Sequence, residues 1–281
     1  MTATLPHSES PGSLGPASAK LDVKPVTFAR QVRSEWHKMW ALRSTWIIMA
    51  IVVVIMGLFA ALIAHFAFDP TKPHPEIAPS DAVTRGLNLA GVAFIAFACM
   101  AMTGEYSSGL IRSTLTAEPR RTVVFAAKAT VVGLIAAIVG IVCVAVNYVL
   151  VSLFFPSGTS LDLGTWSDVR PLVGLVLFLV LWSVIALSIG TLLRNTAAAI
   201  AIILCWILVA ENLISGIPWS FFEDIRAYLP GQSSVIITFS DALLQRQDGL
   251  LHNVWEGFGV GCIWAAVMAA AALIMLRRRD V

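Results

Sequence analysis

Long apolar runs alternate with short polar segments along this chain. Positions 45–68, 81–102, 123–155 (129–155 its most apolar part), 171–193, 196–214 and 255–276 are dominated by Ala, Val, Ile, Leu, Phe and Met. A helix needs about 20 such residues to cross about 30 Å of hydrocarbon. The pattern therefore predicts an all-α polytopic membrane protein with six transmembrane helices. Positions 1–25 are rich in Ser, Pro, Ala and Gly and contain no apolar run, which predicts a disordered tail and not a signal peptide.

Between tail and first span, Val26–Arg43 is amphipathic. Phe28, Val32, Trp36 and Met39/Trp40 recur at helical spacing, and Arg30, Arg33, His37 and Lys38 fill much of the rest. That pattern predicts a helix lying in the membrane interface, with Arg33, Trp36, Lys38 and Trp40 as its anchors to lipid. A plain basic flank of the first span is the simpler alternative. Ser44 or Thr45 is placed to cap the turn into that span.

The outer segment after the first span carries Pro70, Pro73, Pro75 and Pro79, which excludes regular structure there. Ser80 is a candidate N-cap for the second helix. The strictly apolar part of that helix is short, so it must start near Asp81, with Arg85 snorkelling to the interface or facing an aqueous cavity. The third helix starts near Pro119, a favourable first-turn residue, and is too long for the bilayer, so its start projects beyond the membrane. Arg121 and Lys128, seven apart, share a face of that projection. Pro171 opens the fourth span, and Arg194-Asn195 makes a tight turn into the fifth.

Charge orients these spans. Hydrophobic residues make up 58% and charged residues 13% of the 281 positions, and mean hydropathy is +0.82. With an even number of spans both termini share a side. That side holds fourteen of the 19 Lys and Arg, and the other holds five. The positive-inside rule places the fourteen, and both termini, in the cytoplasm. The four cysteines all fall inside spans with no CxxC pair, and are read as small packing residues.

Two polar features stand out. The first is the cytoplasmic segment 103–122, in which Gly104 and Gly109 permit sharp turns and a short helix fits between Gly109 and Pro119, lying across the membrane surface. The second is Glu211, an ionisable residue near the outer end of the fifth span. It is a candidate substrate or gating group, or else a carboxylate that reaches outer water or caps a neighbouring helix. The outer segment 219–253 predicts two short helices dipping into the interface, with Tyr228-Leu229-Pro230-Gly231 as a turn.

Enzymatic signatures are missing. There is no GxxxxGK[ST] loop, no HExxH, no GxSxG, and the five histidines are scattered. No catalytic residue, metal site or bound cofactor is expected, and the cations flank spans instead of forming a nucleic-acid patch. Such a six-span chain is most simply a transport subunit.

The stretch Gly104-Glu105-Tyr106-Ser107-Ser108-Gly109-Leu110-Ile111-Arg112, followed by Pro119-Arg120-Arg121 and Lys128, resembles the cytoplasmic segment of type-2 ATP-binding-cassette (ABC) exporter permeases, especially small bacterial ones. Arg33-Ser34-Glu35-Trp36-His37-Lys38 and Leu42-Arg43-Ser44-Thr45-Trp46 resemble that family's entry to its first span, and Leu229-Pro230-Gly231 its outer segment. The resemblance implies a permease dimer, as a homodimer or with a paralogous permease. It implies a separate ATPase subunit that binds ATP and Mg, and a bacterial plasma membrane. Val26–Arg43 would be the connecting helix and Tyr106–Thr116 the coupling helix, with Glu105 at the family's acidic position. Coupling to the ATPase would fall to Glu105, Tyr106, Ser107, Ser108, Gly109, Leu110, Ile111, Arg112 and Thr114, and the first and fifth spans would form the dimer seam. The cargo would be hydrophobic or amphipathic: a drug, peptide or lipid. An ion-gradient-driven secondary transporter and a membrane scaffold or sensor are the alternatives.

Overall fold

A computed structural model describes residues 27–66, 77–154, 161, 163–217, 220–246, 251 and 253–278. The tail, most of the proline-rich segment after the first span and Arg279 lie outside the described residues. Those described contain helices and no strand. Six helices are long and apolar enough to cross a membrane, which makes this a multi-pass membrane protein.

The first helix, α1 (Phe28–Ala41), precedes the spans and is capped by Thr27, whose hydroxyl accepts from Arg30 N at 3.4 Å. Leu42 alone separates it from α2 (Arg43–Phe66), the first span. Ser44 and Thr45 are therefore inside α2, and neither stands ahead of it as a cap. The second span is two pieces, α3 (Pro79–Thr84) and α4 (Leu87–Ser107), broken at Arg85-Gly86. Pro79 takes the first turn, where its missing N–H costs nothing, and Ser80 is not the cap. Gly86 lets the break pack closely on the first span: a Cβ there would sit 2.9 Å from the Met56 backbone. α4 runs five residues past the expected end at Met102, so Glu105, Tyr106 and Ser107 belong to the span's own helix.

A left-handed Gly109 (φ 73°) turns the chain into α5 (Leu110–Ala117). The third span, α6 (Arg121–Phe154), has 34 residues, or about 51 Å at 1.5 Å each, and overruns the hydrocarbon. The fourth, α7 (Trp166–Leu193), starts five residues before Pro171, which lies inside it. A left-handed Arg194 (φ 54°) ends α7, and Asn195 caps α8 (Thr196–Leu204). A wide π turn at Cys205–Ala210 joins α8 to α9 (Glu211–Ser215), completing the fifth span. Then come α10 (Ser220–Arg226), α11 (Pro230–Val235) with a 3-10 turn at Ile236–Thr238, α12 (Asp241–Leu244) and the sixth span α13 (Val254–Arg278).

The second and fourth spans form the centre, with 67% and 61% of their most apolar stretches buried, against 17% for the fifth and 22% for the sixth. Phe94, Met102, Leu175, Leu179 and Leu187 fill that core. The outward side chains of α2 (Ile47, Ile51, Val54, Leu58, Leu62) are apolar and exposed, as a lipid-facing stripe requires. Cys99 and Cys143 are buried, as packing residues are, whereas Cys205 and Cys262 are exposed.

The segment after the fifth span is not merely interfacial. Ile236 and Ile237 are fully buried, and Ser233 and Ser234 nearly so. Two glycines admit it. A Cβ on Gly174 would lie 2.3 Å from Ile237 O, and one on Gly257 would lie 2.5 Å from Ser233 O. Tyr228 and Leu229 form the expected turn, but Pro230 already opens α11.

Candidate functional site

α1 turns an unexpected face to the bundle. Gln31, Glu35 and Met39, one per turn, are buried, while Phe28 is exposed and Trp36 and Trp40 are half-buried. The charge on α6 explains it. Lys128 lies seven residues into that helix and is completely buried, so it must meet a counter-charge. Glu35, also completely buried, supplies it: Glu35 Oε2 accepts from Lys128 Nζ at 2.5 Å. Glu105 Oε1, from the end of α4, accepts from the same ammonium at 2.9 Å.

Lys38, one turn along α1 from Glu35, closes the cluster. Its ammonium donates to Glu35 Oε1 at 2.7 Å, to Glu105 Oε1 at 3.2 Å and to Thr114 Oγ1 of α5 at 3.4 Å. All three of its N–H bonds have acceptors. Gln31 Nε2 adds a donor to Glu35 Oε1 at 3.5 Å. Two carboxylates and two ammoniums give zero net charge, and they tie together four elements: α1, α4, α5 and α6. Burial pushes the Glu35 carboxyl up, but Lys128 and Lys38 outweigh it and hold it below its ordinary value. Burial pulls Lys38 down, and Glu35 and Glu105 carry it above its ordinary value instead.

Other contacts brace the same basic end. The Arg194 guanidinium sits 4.9 Å from the centre of the Tyr106 ring, tying the end of α4 to the turn after α7. Arg121 Nη1 donates to Leu276 O at 2.5 Å, capping the last turn of α13. Arg121 and Lys128 thus do different work despite their shared spacing. Trp36, Trp40 and Trp46 form a ladder with ring centres 5.2 and 4.5 Å apart, and Trp46 Nε1 donates to Trp40 O at 3.1 Å. On α5, Ile111 and Thr114 point inward, and Leu110 and Arg112 are exposed. Ser107, the last residue of α4, and Ser108 and Gly109 of the turn before α5 are exposed.

A groove of about 450 Å³ opens beside the cluster. Ile48, Leu42 and Met39 line one side, Phe97, Met100 and Ala101 the other, and Glu105, Lys38 and Leu110 close its basic end.

Of the expected site residues, the structure brings together Lys38, Glu105 and Thr114. Arg33 is exposed on α1 and joins none of them. Arg85 and Glu211 lie at the far end, apart from each other in role. Arg85 is exposed at the α3–α4 break. Glu211 is buried and accepts from Trp206 Nε1 at 2.9 Å, Gly231 N at 2.8 Å and Gln232 N at 3.1 Å. It caps the start of α11, the helix-capping alternative stated for it above. Sequence reasoning gave no role to Glu35 or a buried one to Lys128. The signal was there: a lone lysine flanked by apolar residues on a spanning helix demands a carboxylate.

The cluster contains no nucleophile beside a base, and among the described residues no three His, Cys, Asp or Glu side chains converge as metal ligands. It is a charge-neutral joint between α1, α5 and the ends of two spans. No protein-family model matches the chain, and no curated protein matches it.

Proposed function

We propose that this chain is the membrane-spanning permease subunit of an ATP-driven ABC exporter, powered by a separate ATP-binding subunit. The observation that carries the reading is the Lys38–Glu105–Thr114–Lys128–Glu35 joint. It links a short surface helix, α5, to the interfacial helix α1 and to the ends of two spans. A push on α5 is thereby delivered to α4 and α6 instead of being lost in a loop. α5 has an outer face, Leu110 and Arg112, that none of the described residues covers. That is the form a lever takes when a cytosolic motor docks on it. The motor's ATP and Mg would bind on the partner, and its closure would favour one of two arrangements of the spans. A second permease copy, or a paralogue, would complete the conduit in a bacterial plasma membrane, with both termini in the cytoplasm.

The test is reconstitution. Co-expression with the P-loop ATPase encoded nearest the gene is expected to yield a complex that survives purification. Leu110→Glu together with Arg112→Glu is expected to dissociate it while leaving the permease folded. Unchanged association and export in that variant would remove α5 from the mechanism. Labelling of Ser107→Cys from the outside of intact cells would overturn the orientation itself.

A further inference from the structure

Three tryptophans from three spans meet at one cavity beneath the outer segment. It measures about 140 Å³ and presents no polar surface. Its walls are Trp182, Trp206, Trp264, Pro230, Met268 and four isoleucines of α7 and α8. The indole N–H groups are already engaged. Trp182 Nε1 donates to Ser234 Oγ at 3.1 Å, Trp264 Nε1 to Tyr228 O at 3.0 Å and Trp206 Nε1 to Glu211 Oε1 at 2.9 Å. Glu211 in turn accepts from Gly231 N and Gln232 N. All three tryptophans of the wall therefore hold the same outer stretch, 228–234, and Pro230 of that stretch is part of the wall.

An apolar cavity of about 150 Å³ stays dry and takes one benzene-sized molecule. Water would find no partner here, and a ligand carrying a charge, an N–H or an O–H would leave it bare. The indoles favour a ring over a lipid acyl chain, because aromatic pairs attract beyond the area they bury. Ile202 and Trp206 are 52% and 39% exposed, which opens the cavity on the flank of the fifth span.

We infer that this cavity binds a small uncharged aromatic molecule without hydrogen-bonding groups, and that its occupancy is transmitted to the outer segment through the three indoles. The site lies within one chain and goes beyond the export reading. An occupant packs against rings whose N–H groups fix 228–234, so an opening of that stretch that moves the rings must also empty the cavity.

The full chain in phosphatidylcholine nanodiscs is titrated with fluorobenzene, 4-fluorophenol and 1-fluorohexane, followed by fluorine NMR, with empty nanodiscs subtracting partition into lipid. Fluorobenzene is expected to show a saturable component of one per chain. The phenol is expected to bind about tenfold more weakly, because its hydroxyl is left without a partner. The alkane, which stands in for an acyl chain, is expected to bind several-fold more weakly than the ring. Ile202→Trp and, separately, Met268→Trp are expected to fill the cavity and remove the saturable component. Leu213→Trp, an exposed position of the same span outside the cavity, is expected to retain it. No saturable fluorobenzene binding, equal binding of the phenol or the alkane, or binding that survives both filling variants overturns the site. Should one filling variant fail to fold, the other decides. Transmission is read by hydrogen exchange of 228–234. With fluorobenzene at ten times its Kd, an opening that empties the cavity becomes about tenfold rarer, and exchange is expected to slow by that factor. Saturable binding with unchanged exchange overturns the transmission. No ATPase is present, so the site stands or falls apart from the export reading.

Discussion

The two ends of the helix bundle solve the problem of buried charge differently. At the basic end, side chains satisfy side chains: Glu35, Lys38, Glu105 and Lys128 pair across three elements, and Thr114 adds a fourth. At the far end, side chains also satisfy backbone. Glu211 takes the N–H groups of Gly231 and Gln232, Asp81 Oδ1 takes that of Ser240 at 2.8 Å, and Arg170 Nη2 donates to Phe239 O at 2.5 Å. Thr84 Oγ1 reaches Thr238 O at 3.1 Å. The far end thereby stitches an irregular outer segment into the bundle, where stray backbone groups would be expensive. Backbone partners have one arrangement. Four balanced charges can be re-paired, so the basic end suits motion and the far end suits fixity.

Lys128→Met tests that contrast most severely. It leaves two buried carboxylates facing one ammonium, and the expected loss is about 3–5 kcal/mol, read as a fall in thermal stability in detergent. Adding Glu35→Leu restores neutrality and is expected to recover a large share. If the double variant is no better than the sum of the singles, the four charges are not one unit. At the far end Glu211→Gln keeps an acceptor but offers fewer lone pairs to three donors. One donor left bare costs about 1–3 kcal/mol by the same melting assay, with no rescue from any charge change elsewhere. Thr84→Val removes a single hydroxyl of matched shape, and about 1 kcal/mol is expected. A loss as large as that of Lys128→Met would erase the distinction between the ends.

The smallest effect is with pH. Glu35 is held below its ordinary 4.5, so its stabilisation is complete above that pH and falls away as pH drops through the lower folded value. Lys38 is held above 10.5, so its stabilisation is complete below that pH and is lost as pH rises through the higher folded value. Lys38 is 39% exposed in its side chain, and water screens its share. Melting temperature is expected to be flat between these limits. A steep change near pH 7 contradicts the pairing.

Hydrophobic run length alone determined the six spans, because lipid demands about 20 apolar residues whatever their neighbours do. Amphipathic spacing gave the helix before them, and Gly109 and Pro119 bracket the short one after the second, although α6 starts only at Arg121, so Pro119 stands ahead of its first turn and not in it. Run length missed where α3 breaks and where α7 starts, because Gly86 and Pro171 answer to packing partners as well as to local propensity. Periodicity gave α1 an aromatic face for the membrane interface and named no face for the bundle, and the structure turned Glu35 inward. That choice belongs to Lys128, 93 residues away, whose charge could not be buried without it. Glu211 shows the same limit: its sequence marks it as costly, but only the approach of Gly231 and Gln232 decides that it caps a helix. Local propensity and hydrophobic length are properties of neighbours in the chain, whereas the pairing of buried charges depends on what folding brings within about 3 Å.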